Sequence, residues 1–465
     1  MIIHPVEYSA DFTHRAGKRI LLISLVLISL AAAIKPLAAG ELTFDGQINE
    51  RFEILNGMNK KAYGDRSIDA KGKISGNSDD RLLLQRIMAG IVYKQDEHIS
   101  YHLQMYDARI WGWSLNKDNF LKNKGTSDEY VMDPNEEFFE LHDAYLEDKD
   151  FVVDGFSLKL GRQEISYGDK RIFGPGDWGN SFGWLWDAVR FSCEKQDNFI
   201  DAWYGQTKTS DPFSFSMFHR HEYQGIGLYS HYKLTKNGAF EPFFAWKNSL
   251  FNDVTPEEKT YYYGARFYTE DLYGYNCDFT YAIENGDIGK KPVKSYGYVA
   301  RVGYRFDNIF MKPNIVLGRV FAGGNSNPNS GYIRTFTRPF GSTDGEHYGR
   351  MDIMSWSNLV DNEINLYLEP IEKANLKLAY HNFFLDKPAD AWSYYGYKNL
   401  PGNSYTHLGW ELDFQLKYDY SDTLAFQLIY AHFNAGSFVT HNVEENDAHR
   451  LFLQCTYRFR FPLEG

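Results

Sequence analysis

One pattern repeats along most of this chain: stretches of roughly ten residues in which apolar and polar side chains alternate. Residues 453–461, with the sequence LQCTYRFRF, show it clearly. Successive side chains of a β-strand point to opposite faces, so each stretch predicts a strand with one apolar and one polar face. The joints alternate between short turns and long polar loops. Short turns at one end of the strands and long loops at the other indicate a closed antiparallel barrel embedded in a membrane.

Composition supports the barrel over other membrane or soluble folds. Mean hydropathy is −0.48, too low for a helical membrane protein, and beyond the N-terminus no window offers the roughly twenty apolar residues of a spanning helix. A soluble sandwich would also alternate, but aromatic residues cluster near the strand ends, as in membrane-interface girdles. The net charge of −12 argues against nucleic-acid binding, which usually requires a basic face.

The N-terminus has the features of an export signal. Basic residues at positions 14–19 precede an apolar run at 20–34, which small residues follow at 38–40. We therefore predict a secretory signal at residues 1–40 and a barrel domain at 41–465. A retained membrane anchor is the alternative, and the apolar run is short for it.

The alternation predicts an all-β, transmembrane, up-and-down antiparallel barrel of about 18 strands. Short turns then lie on the periplasmic side with both termini, and long loops, including residues 283–294, face outward. The predicted strands lie near residues 43–55, 81–94, 97–110, 137–147, 155–163, 187–195, 198–206, 223–233, 239–247, 260–270, 272–282, 295–306, 312–321, 358–369, 374–383, 406–418, 422–433 and 448–461.

Strand parity places an excess of arginine on the polar, inward face. A guanidinium stays charged and pairs with carboxylates, so such a lining would concentrate an anionic solute. The alternative is that these arginines pair with inward acids in a lattice of salt bridges that stiffens the wall. The predicted lining residues are Arg51, Arg86, Arg190, Arg266, Arg301, Arg305, Arg458 and Arg460.

The segment from Glu140 to Arg190 carries a more specific signal. It contains ELHDAYLE, then LGRQE, YG, GP and DW, and returns through WDAVR. This ensemble resembles the signature of the alginate export porin family. The resemblance implies a monomeric barrel in the Gram-negative outer membrane, among lipid and lipopolysaccharide, with an electropositive constriction for an anionic uronate polysaccharide. Periplasmic secretion proteins are partners that it implies as well. Carried over by position, the constriction residues are Arg162, Glu164, Arg171, Asp187 and Arg190.

The loop at residues 164–186 has two possible positions. Its glycines and Pro175 allow sharp reversals, so it could fold into the bore and narrow it, or pack on the rim. Parity from Leu158 and Leu160 puts Arg162 on the lipid side unless the strand ends or a bulge redirects it.

The sequence leaves three functions open: a passive pore for an anionic polysaccharide, a general or nutrient-uptake oligosaccharide porin, and a barrel hydrolase. Histidines and serines are present, but no nucleophile elbow, zinc-binding helix motif or paired cysteine spacing accompanies them. We therefore expect no enzyme activity, no cofactor and no metal site, and we favour the polysaccharide pore.

Overall fold

The computed structural model describes residues 40–57, 79–112, 135–175, 177–178, 180–208, 221–249, 257–341, 344–394, 396–443 and 447–463. The predicted export signal lies outside these residues, apart from Gly40. Within them, eighteen strands form a single antiparallel sheet.

The eighteen strands follow one another in chain order. They are β1 Glu41–Asn56, β2 Asp80–Lys94, β3 Ile99–Trp111, β4 Glu137–Asp148, β5 Phe156–Gln163, β6 Leu185–Lys195, β7 Asn198–Lys208, β8 His221–Thr235 and β9 Gly238–Ser249. They continue as β10 Glu258–Leu272, β11 Tyr275–Ile288, β12 Lys291–Arg305, β13 Asn314–Ala322, β14 Leu359–Leu368, β15 Ala374–Phe384, β16 His407–Asp419, β17 Leu424–Ala435 and β18 Ala448–Leu463.

Each strand pairs with the next, and the last pairs with the first. Between β1 and β18, Leu42 lies opposite Leu463 and Asn56 lies opposite His449. The sheet is therefore a closed up-and-down barrel, as the alternation predicted. Closure pairs both edges of the sheet, which a lipid environment requires.

The two faces of the wall differ as parity predicts. On β18, Leu453 is 54% exposed and Phe461 is 52% exposed, whereas Phe452 and Thr456, which point the other way, are buried. Tyr273, at the turn between β10 and β11, is 91% exposed. Exposed apolar side chains cover the outside, where lipid replaces water, and aromatic residues mark its edge.

The turns also separate by length, with one exception. The predicted long loop at residues 283–294 is instead a tight hairpin, because β11 continues to Ile288 and β12 starts at Lys291. Gly289 forms the turn with a φ of 60°, a backbone conformation that glycine adopts without strain. The polar residues expected in a loop are here paired strand extensions, with Asn285 opposite Lys294.

Helix is scarce in the described ranges. The α-helices there are α1 Asp344–His347 and α2 Ser437–Asn442. Among the described residues, no helix is long and apolar enough to cross a bilayer.

Candidate functional site

Two long connections enter the barrel and together form a plug. The first plug segment is the described part of residues 164–184, between β5 and β6, and the second plug segment is the described part of residues 323–358, between β13 and β14. They bond to each other through the backbone: Gly174 donates to the carbonyl of Phe340 at 3.1 Å, and Phe340 donates to that of Ile172 at 3.1 Å. The plug is thus one packed unit built from two distant parts of the chain.

The first plug segment reaches deep into the bore. The Tyr167 hydroxyl donates a hydrogen bond of 2.7 Å to Asp201, which lies near the periplasmic end of β7. Its ring stacks on Tyr229 of β8 with centroids 4.6 Å apart. Of the two positions that the sequence left open for this loop, the structure therefore shows the one inside the barrel.

The second plug segment crosses the bore. At Gly297 of β12, an added Cβ would lie 2.9 Å from the ring of Phe336. Further along the segment, the Met351 amide donates a hydrogen bond of 2.7 Å to Glu411 of β16. Arg450 of β18 donates a hydrogen bond of 3.0 Å to the carbonyl of Arg350. The second plug segment therefore contacts strands from β12 to β18, which form a large part of the wall.

Aromatic packing holds the plug against β6, β7 and β8. The ring of Phe340 lies 4.7 Å from that of Trp186 and 5.8 Å from that of Trp203. Gly225 of β8 faces the same cluster, and a Cβ there would lie 2.8 Å from Phe340. These rings are buried, so the plug contacts the wall here through an apolar interface of the kind that stabilises a protein core.

Arg171, a predicted constriction residue, is the polar centre of the plug. It is 1% exposed and bonds Asp169 through its own amide at 3.1 Å and its Nε at 3.0 Å. Its other nitrogens reach the Tyr348 hydroxyl at 2.6 Å and His347 Nδ1 at 3.2 Å. Burial and the adjacent Arg171 charge lower the pKa of His347 well below its ordinary value. Although burial opposes it, the same guanidinium keeps the pKa of Asp169 below its usual range.

Most wall arginines predicted from parity are paired with carboxylates. Arg266, for example, donates to Asp278 at 2.9 and 3.1 Å and to Glu241 at 3.2 Å. The other pairs are Arg51 with Glu53 at 3.2 Å, Arg190 with Asp201 at 3.7 Å, Arg301 with Glu363, and Arg305 with Asp307 at 2.7 Å and Glu369 at 2.8 Å. These pairs form the lattice that the sequence left open as the alternative.

Two further predicted residues contact or belong to the plug. Arg86 of β2 donates to the carbonyl of Asn180 at 3.3 Å and lies 4.6 Å from the ring centroid of Phe182. Glu164 lies 3.9 Å from the ammonium group of Lys170 within the first plug segment.

Arg162 and Asp187 lie opposite each other on β5 and β6, two positions from Leu160 and Val189. Arg162 donates two hydrogen bonds to Asp187, at 2.8 and 3.0 Å. This is the face that carries Phe191, which is 40% exposed on the outside of the barrel. The alternation from Leu160 therefore continues to the end of β5, with Arg162 on the same face as Leu160. A role for Arg162 and Asp187 in binding solute stays a prediction.

Arg458 and Arg460 differ from the other wall arginines. They follow Thr456 on the inward face of β18, close to its periplasmic end, and are exposed. Among the described residues, no carboxylate oxygen lies within 4.0 Å of either guanidinium, although Asp45 of β1 lies opposite Arg460 in the sheet register. They are cations available at the mouth of the bore.

Sequence reasoning missed a cation and aromatic group on β3 to β5. The Lys159 ammonium lies 4.2 Å from the ring centroid of Tyr145, which stacks on His102 at 4.4 Å. Lys159 also pairs with Glu147 at 3.2 Å and lies opposite Arg190 in the register. Side-chain alternation along β4 and β5 would have placed Tyr145 and Lys159 inward, but the predicted wall lining included only arginines.

Comparison with known families identifies this architecture. A family model described as alginate export matches residues 56–454. The chain belongs to the alginate export family. No curated protein sequence matches the chain significantly.

Solved structures show the same fold at low identity. OccAB3 of Acinetobacter baumannii is 11% identical with a TM-score of 0.55, covering 91% of this chain and 100% of its own. OpdO of Pseudomonas aeruginosa is 10% identical with a TM-score of 0.54, covering 91% and 97%. OpdK of Pseudomonas aeruginosa, in a structure with vanillate, is 10% identical with a TM-score of 0.53, covering 90% and 99%.

The family and fold together make this chain a porin of the Gram-negative outer membrane. They point to a channel rather than an enzyme, so the plug and the inward wall are its candidate functional site.

Proposed function

We propose that this porin passes an anionic, uronate-type polysaccharide or oligosaccharide through its bore by passive diffusion. Arg458 and Arg460 carry the proposal, because they supply exposed guanidinium groups without a carboxylate within 4.0 Å among the described residues. A guanidinium binds a carboxylate through two parallel hydrogen bonds. A polymer with one carboxylate per sugar would therefore be captured at the periplasmic mouth.

The aromatic rings of the wall support a saccharide as the solute. Phe199 of β7 stacks on His231 of β8 at 5.5 Å, and Arg266 lies 4.4 Å from the ring centroid of Tyr268. A uronate ring combines an apolar face with a carboxylate, so a wall that alternates rings with cations offers it weak contacts. Weak, repeated contacts let a chain enter and also leave.

Single-channel recording in planar bilayers tests the proposal. We expect the reversal potential in a salt gradient to indicate anion preference, and alginate oligomers to block the current more strongly than neutral dextran oligomers. Replacing Arg458 and Arg460 with glutamine should reduce both effects. Cation selectivity, or equal block by dextran, would overturn the proposal.

Arg319 provides the matched control for this test. It lies on the outward face of β13, between the exposed Leu317 and the half-buried Phe321, and donates a hydrogen bond of 2.8 Å to Asn362. Replacing it with glutamine removes one guanidinium charge from the outside of the barrel. We expect its selectivity and block to match those of the wild type.

A general or nutrient-uptake oligosaccharide porin, which would pass small solutes, is the second candidate. The plug favours it, because a small solute needs less displacement of the plug than a polymer does. Paired charges along most of the wall would then give weak charge selectivity and no preference for alginate over dextran. Small carboxylates are included among its solutes, since OpdK was solved with vanillate.

We also expect the barrel to be a monomer that works with periplasmic secretion proteins. Light scattering of the protein in detergent tests the first expectation, and cross-linking in intact cells tests the second. A dimer in detergent would contradict the first.

A further inference from the structure

A buried cluster of acids and one histidine lies on the inward wall, on strands other than β18, which carries Arg458 and Arg460. Asp361 and Glu363 are alternate residues of β14, and His381 lies beside them on β15. All three are nearly inaccessible, at 0%, 3% and 2% exposure. One potential ligand atom from each residue lies within 4.8 Å of the others. The three side chains therefore converge on one point in the wall.

The cluster has unmet polar capacity. Asp361 Oδ2 lies 2.8 Å from His381 Nδ1, but Asp361 Oδ1 is buried and has no hydrogen-bond partner among the described residues. Oδ1 of the neighbouring Asp413 is likewise buried and without a hydrogen-bond partner among the described residues. A buried carboxylate oxygen without a partner costs free energy that a cation would recover.

Carboxylates outnumber the arginine and lysine side chains in direct contact with them in this region. Four buried carboxylates lie on neighbouring strands, namely Asp361, Glu363, Glu411 and Asp413. Within the described part of the chain, the one arginine or lysine side chain with nitrogen atoms within 4.0 Å of any of them is Arg301, which binds Glu363. A divalent cation would offset the remaining negative charge.

The surroundings of the three residues suit metal ligands. Arg301 donates two hydrogen bonds to Glu363, and Asn365 donates one of 3.2 Å to the same carboxylate. His381 Nε2 lies 4.0 Å from Asp413 Oδ2. Metal-binding histidines usually turn their second nitrogen toward a carboxylate, and metal-binding carboxylates are usually hydrogen-bonded themselves.

We propose that Asp361, Glu363 and His381 bind a divalent first-row transition-metal ion such as Zn²⁺. One imidazole and two carboxylates suit Zn²⁺, Mn²⁺ or Fe²⁺, whereas Ca²⁺ prefers six to eight oxygen ligands. The sequence predicted no metal because the ligands belong to two strands and match no local spacing motif.

The site lies directly beside the second plug segment. The amides of Arg350 and Met351 donate to Asp413 at 3.1 Å and Glu411 at 2.7 Å. A bound cation would therefore lie in the wall that receives the plug, and it would stabilise the folded barrel by binding only the native state. The proposal is independent of which solute the bore passes.

Metal titration of the full-length barrel in detergent tests this site. After removal of metals with EDTA and of the chelator by dialysis, Co²⁺ is added as a visible-absorbing probe and then competed with Zn²⁺. We expect one bound ion per chain, and a thermal unfolding midpoint that rises with Zn²⁺ but not with equal Ca²⁺. Asp361→Asn and His381→Gln should each weaken affinity by about tenfold or more.

The outward face offers a competing histidine pair that serves as the control. His432 and His449 lie opposite each other on β17 and β18, with Nδ1 atoms 3.2 Å apart. The variant His432→Ala, His449→Ala should keep the bound ion if the inward cluster holds it. Loss of binding in this variant, or a folded wild-type barrel that binds no Co²⁺ or Zn²⁺, would overturn the proposal. Circular dichroism checks that each variant is folded. If one variant is not folded, the number of ions bound per wild-type chain decides the test.

Discussion

The Arg171 guanidinium donates a hydrogen bond of 2.6 Å to the hydroxyl of Tyr348, a residue 177 positions later in the chain. The same guanidinium binds Asp169, two positions before it. One buried side chain therefore connects the two segments of the plug. Its removal would leave buried polar groups in both.

Replacing Arg171 with methionine should loosen the plug. A buried ion pair broken on one side typically costs about 3–5 kcal/mol, and here the loss falls on the docking of the plug rather than on the barrel. We expect a larger or more frequently open single-channel current. Lys170→Met is the matched control, because its side chain is 48% exposed and its ion pair with Glu164 is long. Identical currents in the two variants would count against a plug held by Arg171.

Acidification should weaken the plug through His347. The pKa of His347 in the folded protein is well below its ordinary value. Its contribution to the free energy of plug docking is therefore fully present above the unfolded pKa of about 6.5 and is lost as the pH falls below that value. The free energy of docking should fall by at most about 1.4 kcal/mol per pH unit. We expect channel opening to increase from pH 7.5 to pH about 5, the range where this proton matters.

The difference between wild type and His347→Asn isolates this histidine. Asp352 acts in the opposite direction, because burial raises its pKa and its contribution is lost as the pH rises. Asp352 is present in both proteins, so its effect on the pH response cancels in the difference between them. His441→Asn, on the exposed side of α2, should keep the wild-type response. If His347→Asn responds to pH as the wild type does, the pH effect arises elsewhere.

Gly225→Ala should destabilise the docked plug. The added methyl group would lie 2.8 Å from the Phe340 ring and 2.9 Å from that of Trp186, closer than packed atoms tolerate. Overpacking of this kind costs about 1–3 kcal/mol. The measurement is the thermal unfolding midpoint, with Gly331→Ala for comparison, since a Cβ at Gly331 meets nothing within 4 Å. Equal midpoints would show that the interface at Gly225 is not tightly packed.

The facing of the wall is tested by two adjacent substitutions on β18. Leu453→Arg should cost about 2–4 kcal/mol if the residue faces the middle of the bilayer, whereas Gln454→Arg, which faces the bore, should cost much less. Reversible urea unfolding of the barrel in lipid vesicles measures both. The opposite order of costs would invert the assignment of the two faces.

The barrel itself could be predicted from local sequence because side-chain alternation is a property of each strand alone. The predicted strand at 448–461 lies within the observed Ala448–Leu463, and closure follows because unpaired edges are not tolerated in lipid. The hairpin at Gly289 was missed because polar residues there extend paired strands above the bilayer, where water permits them.

The pairing of the wall could not be predicted from parity. Parity places Arg301 inward, but whether it meets a solute or Glu363 depends on which strands become neighbours across β13. The same limit applies to the plug, because Phe173 packs against Phe340 although the two residues belong to connections far apart in the chain.

The sequence alone determined the repeating strand, the order of the strands and the division into an apolar outside and a polar inside. These depend on a period of two residues and on turns between neighbours, which are local properties. Tertiary structure decided what fills the bore, which charges are neutralised and where Asp361 and His381 meet. Those outcomes depend on contacts between residues far apart in the chain, and no local pattern encodes them.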